Sequence, residues 1–326
     1  MAAEPTPLAL SRLGHDRAAL RRTDDAWLAA AWPGAHVVAV TTRGLAAVVD
    51  GPGGPDLLRL SGREAEALPG VVAAGWPDRI FLGVTGEDAW FAVVVDDEAP
   101  APSGARWANL RDVGAEVDEL EAGLFTSATA LVAFHSRYRF CGHCGAPSES
   151  AHAGWIRRCT VQGIDLFPRS DPAVIMLVHD GGDRCVLGRQ AVWPEGRFSV
   201  LAGFVEAGAP FEAAVAREVG EEVGLTVTDV RYFGSQPWPF PQSLMIGCTA
   251  RATSEQITRN DHEIAEAHWF TRDDVRAAVD WTAAVDFERA GGAELPGFGP
   301  GGVLKAVPGP VSIARQLLDA WVAGRV

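Results

Sequence analysis

The sequence predicts an α/β protein of more than one domain, and three observations carry that expectation. Short apolar runs bounded by glycine and proline alternate with longer helical patterns. The chain has 326 residues, 48% of them hydrophobic, which exceeds one small core and suits roughly two or three domains. Finally, a glycine-rich loop runs straight into a helix dense with carboxylates over residues 203–225, GFVEAGAPFEAAVAREVGEEVGL.

The elements follow in chain order. Within residues 1–134, HVVAVTT, GLAAVVD, RIFLGVT and WFAVVVD read as strands separated by GPGGP, LPG and WPD. Residues 111–134, acidic and then alanine-rich, read as one or two helices leading out of this domain. It carries no pocket motif, so a scaffolding or dimerisation role is expected of it.

Residues 135–166 form a small knuckle. Cys141-Gly-His-Cys144 is followed by Cys159, and the position that would complete a second C-x-x-C pair holds Gln162. Two such pairs make a strong zinc signal, and here there is one and a half. His143 or His152 would have to complete the site, or the knuckle stands on packing alone. No thioredoxin-like helix follows the pair, which disfavours a redox role.

Residues 167–326 give the third domain. AVIMLVH (173–179) and RCVLGRQ (184–190) predict a hairpin around Asp180–Asp183, and FSVLAGF (198–204) leads to the acidic helix. Pro210 suits that helix's first turn and Gly224 a left-handed cap at its end. VTDVRYFGS and SLMIGCTARA read as strands joined by a rigid loop, because three prolines within residues 237–241 oppose helix and central strand alike. HWFTRDDVRAAV predicts a strand and then a helix capped by Thr271. A Gly/Pro-rich loop covers 291–310, and SIARQLLDAWV (312–322) closes the chain as an amphipathic helix.

Glu218, Glu221 and Glu222 are three and four residues apart, so they crowd one side of the helix beside Arg217. A hard divalent cation such as Mg²⁺ or Mn²⁺ turns that repulsion into binding and serves pyrophosphate chemistry. A solvated acidic face is the plainer alternative. In the proline string SQPWPFPQSLM, aromatic residues flanked by amides suit a flat ligand with polar edges, such as a nucleobase.

Gly203, Arg217, Glu218, Glu221, Glu222 and Gly224 together resemble the Nudix box, with Ala209 standing where the family carries its first glutamate. The string at 235–245 resembles the signature of the NADH pyrophosphatase branch of Nudix hydrolases, and Cys141, Cys144 and Cys159 resemble that branch's zinc ribbon. The resemblance runs from about His135 onward. It implies a Nudix α/β/α sandwich with a mixed sheet, behind a degenerate ribbon and a separate α/β N-terminal domain. It implies hydrolysis of NAD(H) to NMN(H) and AMP, with removal of NAD caps from RNA as a related activity. Glu222, Glu218 and Glu221 match its catalytic positions. Its metal positions fall on the Ala202 carbonyl, Glu218, Glu222 and Glu263, with Glu266 as alternative to the last. Substrate positions fall on Phe167, Phe204, Gln236, Pro237, Trp238, Pro239, Phe240, Pro241, Gln242, Ser243 and Ala314. Where some members carry a substrate-contacting glutamate, this chain has Gly154. A homodimer is implied as well.

A net charge of −14 argues against a broad duplex-binding surface but leaves room for a local site at a capped RNA end. The first residues lack a signal-peptide pattern, no run approaches a membrane span, and five cysteines fit a reduced cytosol. Two alternatives stay open: a hydrolase of ADP-ribose or another nucleoside diphosphate, which the proline string opposes, and a non-catalytic nucleotide-binding regulator, which Ala209 and Gln162 favour.

Overall fold

A computed structural model describes residues 8–72, 75–259, 263–284 and 296–326. The chain forms two compact units, one of Leu10–Ser170 with Pro237–Ser243, the other of Met1–Ala9, Asp171–Gln236 and Leu244–Val326.

The first unit is built on strands β1 (His36–Thr41), β2 (Ala46–Gly51), β3 (Gly54–Leu57), β4 (Leu60–Ser61), β5 (Ile80–Thr85), β6 (Asp88–Val95) and β7 (Arg106–Ala108). Their order is β3-β2-β1-β6-β5, with β4 paired to β1 and β7 to β2. β1 and β6 run parallel from His36↔Trp90 to Thr41↔Val95. From Ala89 onward β6 is buried at every position, as a strand covered on both faces must be, which is why its sequence is continuously apolar. Helices α1 (Asp25–Ala31), α2 (Gly62–Glu66), α3 (Leu110–Val113) and α4 (Glu119–Arg137) complete this part. α4 begins where the Asp118 carboxylate accepts from the Glu121 N–H at 2.8 Å.

Next in the same unit come β8 (Ser148–Ala151), β9 (Ile156–Cys159) and β10 (Asp165–Leu166), antiparallel in the order β10-β9-β8. Behind them Arg157 is 1% exposed and His135 fully buried. Arg157 donates to the Ser148 hydroxyl at 2.8 Å, the Gly75 carbonyl at 3.0 Å and His135 Nδ1 at 3.1 Å. His135 Nε2 donates in turn to the Gly154 carbonyl at 2.8 Å. Burial holds His135 neutral, down to about 4, and only the neutral ring can accept from the guanidinium. This network ties the knuckle to α4 without any metal.

The second unit contains β11 (Asp171–His179), β12 (Arg184–Gln190), β13 (Leu201–Phe204), β14 (Val227–Trp238), β15 (Ser243–Ala252) and β16 (Ile264–Thr271), with helices α5 (Phe211–Val223), α6 (Arg272–Ala284) and α7 (Ile313–Val322). Strand order is β14-β15-β11-β12-β16, with β13 paired to β11. Alternation along β11 divides two cores. Val174, Met176 and Val178 pack with Ala214, Val215, Val219 and Val223 of α5. Ile175 and Leu177 pack with Val275 and Ala278 of α6 and Leu317, Leu318 and Trp321 of α7. The result is an α/β/α sandwich.

One expectation needs correction. The proline string is not wholly loop, because β14 runs through Gln236 and Pro237 to Trp238. β14 is an edge strand, where the missing proline N–H breaks no central ladder. The stretch 198–204 that leads to the acidic helix is a strand only from Leu201, although Phe198 and Val200 still enter the core. The Gly/Pro-rich stretch 291–310 is described from residue 296 on, and its first residues lie outside the described set. Thr271 does cap α6, its hydroxyl accepting from the Asp274 N–H at 3.2 Å.

Candidate active site and thiol cluster

α5 places its carboxylates by simple periodicity. Ala214, Val215, Val219 and Val223 anchor one stripe in the core. Glu218 and Glu222, one turn apart, lie beside that stripe and are 7% and 1% exposed, whereas Glu221 points to solvent. The helix starts after Pro210, which occupies the N-cap position rather than the first turn, and ends at Gly224 in the left-handed region at φ 69°.

Gly203 explains the loop that precedes the helix. A Cβ there would sit 1.8 Å from the Glu218 carboxyl carbon, so only glycine lets the strand pass this close to the acid. The neighbouring residue, Ala202, lies on β13 and its backbone N–H bonds the Glu222 carboxylate.

Electrostatics then set the site's character. Burial raises Glu222 to about 8, and the charges of Glu263 and Glu218 add to the rise. Glu218 is pushed up by burial as well, while its hydrogen bond from Arg217 opposes the shift. One oxygen of Glu222, Oε2, is buried without a hydrogen-bond partner. Two buried carboxylates, a third acid felt by both, and an orphaned oxygen are a donor set that fits a hard divalent cation. Glu263 is exposed and free to join them. Glu266 is not, because Arg189 holds its Oε1 at 2.6 Å.

Arg217 organises the helix surface. It donates to Glu221 at 2.6 Å, and to Glu218 and the Phe204 carbonyl at 2.7 Å each. Its Nε is buried without a hydrogen bond, and Glu206 approaches it only to 3.9 Å. Ala209, which stands where the resemblance expects a glutamate, offers no carboxylate to that donor. Glu206 stands in for it only as a distant charge.

The remaining substrate positions are scattered in their surroundings. Phe204 and Phe167 are 60% and 64% exposed, as a ring-binding surface needs. Trp238 and Phe240 meet edge to face at 5.1 Å. Pro239 is buried, while Pro237 is half-buried and Pro241 exposed at the turn before Ser243 opens β15. Gln242 reaches the Tyr138 hydroxyl at 3.5 Å. Gln236 is fully buried and donates to the Val311 carbonyl at 3.0 Å, leaving its Oε1 unpartnered. Ala314 is buried in the first turn of α7, its N–H bonded to the Ser312 hydroxyl at 3.2 Å. Gly154 is buried at φ 88°, and a Cβ there would lie 3.0 Å from Ile80, so no glutamate fits in that conformation.

In the knuckle, the sulfurs of Cys141, Cys144 and Cys159 lie within 4.8 Å of one another. The His143 N–H reaches Cys141 Sγ at 3.4 Å and the Gln162 N–H reaches Cys159 Sγ at 3.3 Å. The Gln162 N–H chiefly lowers the Cys159 thiol to about 7. Three converging thiols that accept backbone N–H bonds fit a thiophilic metal. Among the described residues, neither His143 nor His152 joins the group.

The comparisons with known proteins agree with this geometry. The NUDIX domain family matches residues 169–288, the NADH pyrophosphatase-like rudimentary NUDIX domain 38–133, and the NADH pyrophosphatase zinc ribbon domain 136–161. The NAD-capped RNA hydrolase NudC of Mycobacterium bovis (strain BCG / Pasteur 1173P2) is 45% identical over 322 residues, covering 96% of this chain and 94% of its own. NudC of Mycobacterium tuberculosis (strain ATCC 25618 / H37Rv) gives the same identity and coverage. The NAD-capped RNA hydrolase NUDT12 of Pongo abelii is 42% identical over 249 residues, which is 72% of this chain and 50% of that protein. Sandwich, box and family match define an enzyme of the Nudix hydrolase class. Within that class the chain belongs to the NADH pyrophosphatase branch, alongside the NudC proteins. No helix among the described residues is long and apolar enough to cross a membrane.

Proposed function

We propose that this enzyme hydrolyses the pyrophosphate bond of NAD(H), releasing NMN(H) and AMP, and that it removes the same dinucleotide from NAD-capped RNA. The observation that carries the chemistry is the buried pair Glu218 and Glu222, raised in pKa and holding an orphaned oxygen. The substrate class follows from relatives named NAD-capped RNA hydrolases that match the chain nearly end to end.

Glu218, Glu222 and Glu263, with the Ala202 carbonyl, would hold Mg²⁺ or Mn²⁺. Such an ion, when bound, neutralises pyrophosphate charge and lowers the pKa of water. The chain's own residues set the stage for this. Gly203 lets the loop lie against Glu218, and Arg217 fixes Glu218 and Glu221 in place through paired hydrogen bonds. Burial and the neighbouring carboxylates hold the Glu222 carboxyl above its usual range, so a bound cation is what would favour its ionised form. Phe204, in the same unit as α5, offers an exposed ring face for a base, and the resemblance adds Phe167, Trp238 and Phe240 as substrate positions. Cys141, Cys144 and Cys159 would hold zinc with water in the fourth place. The resemblance also implies a cytosolic homodimer, which sedimentation of the purified chain checks.

The test is an assay with Mg²⁺ or Mn²⁺ on NADH, NAD⁺, ADP-ribose and NAD-capped RNA. NADH and capped RNA should be cleaved well ahead of ADP-ribose. Preference for ADP-ribose, or binding without turnover of any of the four, would contradict the proposal.

A further inference from the structure

The thiol cluster of the knuckle lies wholly within the first unit, and its three members are not equivalent. The sulfurs of Cys144 and Cys159 are 3.6 Å apart. Cys159 is anchored. It ends β9, its N–H bonds the Ile164 carbonyl at 2.9 Å, and its carbonyl accepts the Gly163 N–H at 3.0 Å. Cys144 is exposed, on a turn that also carries Gly142 and Gly145, and a Cβ at either glycine would meet nothing within 4 Å. That turn has room for the shift of roughly 1.5 Å that separates this contact from a bonded sulfur pair at about 2.05 Å. Cys141 is 3% exposed, and its sulfur accepts the His143 N–H at 3.4 Å.

Four thiolates around one ion close a structural site on every side. Here Gln162 stands in the fourth place, and among the described residues no histidine joins the group. A small polar oxidant therefore has an approach to the sulfurs. Of the five cysteines only Cys144 is exposed, and Cys185 and Cys248 are buried in the two cores of the second unit. Losing a metal would not undo the knuckle, because Arg157 still bonds the Ser148 hydroxyl and His135.

We propose that Cys144 and Cys159 form a reversible disulfide when the chain meets a hydroperoxide, and that this modification empties the knuckle of zinc. Cys144 Sγ attacks the terminal peroxide oxygen and the O–O bond breaks. That oxygen stays on sulfur as a sulfenic acid, and the thiol proton leaves with the departing water or alcohol. Cys159 Sγ then attacks the Cys144 sulfur. The S–S bond forms, the S–O bond breaks, and the oxygen leaves as water with the Cys159 proton. The two thiols lose two electrons and the peroxide gains them, and a dithiol reductant reverses the change. Cys141 alone is left as a ligand, too few to hold zinc. The couple is not the C-x-x-C pair, so it needs no thioredoxin-like helix. The disulfide rests on sulfur geometry, and zinc release rests in addition on the zinc reading above.

The experiment treats the full chain with hydrogen peroxide, both as purified and after stripping with chelator. Free thiols are then blocked under denaturing conditions and mapped by mass spectrometry, and released zinc is read with a chelating dye. Blockable thiols should fall from five to three, with a cross-linked peptide joining Cys144 to Cys159 that dithiothreitol removes. In the zinc-loaded chain, zinc should leave at the rate at which the cross-link forms. Cys144→Ser removes the exposed partner and, compared in the stripped state, should lose thiols to peroxide about tenfold more slowly. Gln162→Cys supplies a fourth thiolate and should hold zinc about tenfold longer under peroxide. A cross-link mainly between Cys141 and Cys144, oxidation to sulfinic acid without a cross-link, or equal thiol loss in Cys144→Ser would each overturn the inference. If the purified chain holds no zinc yet forms the Cys144–Cys159 cross-link, the zinc reading fails and the pair stands.

Discussion

The thiol cluster of the knuckle and the carboxylate cluster of α5 are both groups of like ligands, and each lacks one family residue. They are electrostatic opposites. Gln162, which replaces a fourth cysteine, still gives its backbone N–H to Cys159 Sγ, and that bond lowers the thiol to about 7. The backbone therefore supports negative charge on Cys159, while desolvation and its sulfur neighbours raise the Cys144 thiol, and the Arg157–His135 network secures the knuckle independently. The acidic helix does the reverse. Burial and mutual repulsion raise Glu222 to about 8, so ionisation there needs a cation from outside. Losing a ligand where the backbone compensates should be cheap, whereas the proposed role of the carboxylate cluster rests on a cation.

That contrast can be broken in several ways. The largest effect is expected from Glu222→Gln, which keeps size but removes the charge. Turnover of NADH with saturating Mn²⁺ should fall about a hundredfold or more, with the fold intact by circular dichroism. Near wild-type turnover would remove Glu222 from the metal set.

The knuckle should respond less. Elemental analysis of protein purified without chelator is expected to show zinc. Chelation should lower the melting temperature only modestly, since Arg157, His135 and Ser148 remain hydrogen-bonded. Replacing Arg157 by Met leaves the Ser148 hydroxyl and the His135 ring without their donor and should cost about 2–4 kcal/mol in urea unfolding, more than zinc removal. A greater loss from chelation than from Arg157→Met would make zinc the knuckle's main support.

The smallest effect is expected at Ala209. Ala209→Glu would place an acceptor near the buried Arg217 Nε, which now has only Glu206 at 3.9 Å. Arg217 already makes three hydrogen bonds at 2.6–2.7 Å, so the gain should be under about 1 kcal/mol in thermal stability, with product identity unchanged. Loss of both activity and stability would mean the loop is built around alanine.

Much of this arrangement is legible in the sequence because it is local. Spacing alone places Glu218 and Glu222 one turn apart, and alternation marks the strands of both units. What escapes sequence reading depends on distant partners. The flanking prolines suggest a loop at Gln236, yet it lies in an edge strand and bonds Val311, seventy-five positions away. Arg43, Arg111, Arg137 and Phe240 line one cavity although no short motif joins them. Glu222 shows its burial only once β13 lies against α5. The unfilled Nε of Arg217 has one sequence signal, the alanine at 209 where the resemblance expects a glutamate.

The central claim, that α5 carries a buried carboxylate cluster completed by a divalent cation, has a direct test in stability against pH. Native Glu222 keeps its proton up to about 8, whereas the unfolded chain releases it near 4.5. Between those values the unfolded state binds fewer protons, so stability falls as pH rises, by on the order of 5 kcal/mol across the window. The measurement is thermal unfolding from pH 4.5 to 8.5 in chelator and in Mn²⁺, for wild type and Glu222→Gln. In chelator, wild type should lose stability relative to the variant as pH rises through this range, and Mn²⁺ should restore wild type but not the variant. Parallel pH profiles in chelator, or equal stabilisation of both proteins by Mn²⁺, would contradict the account.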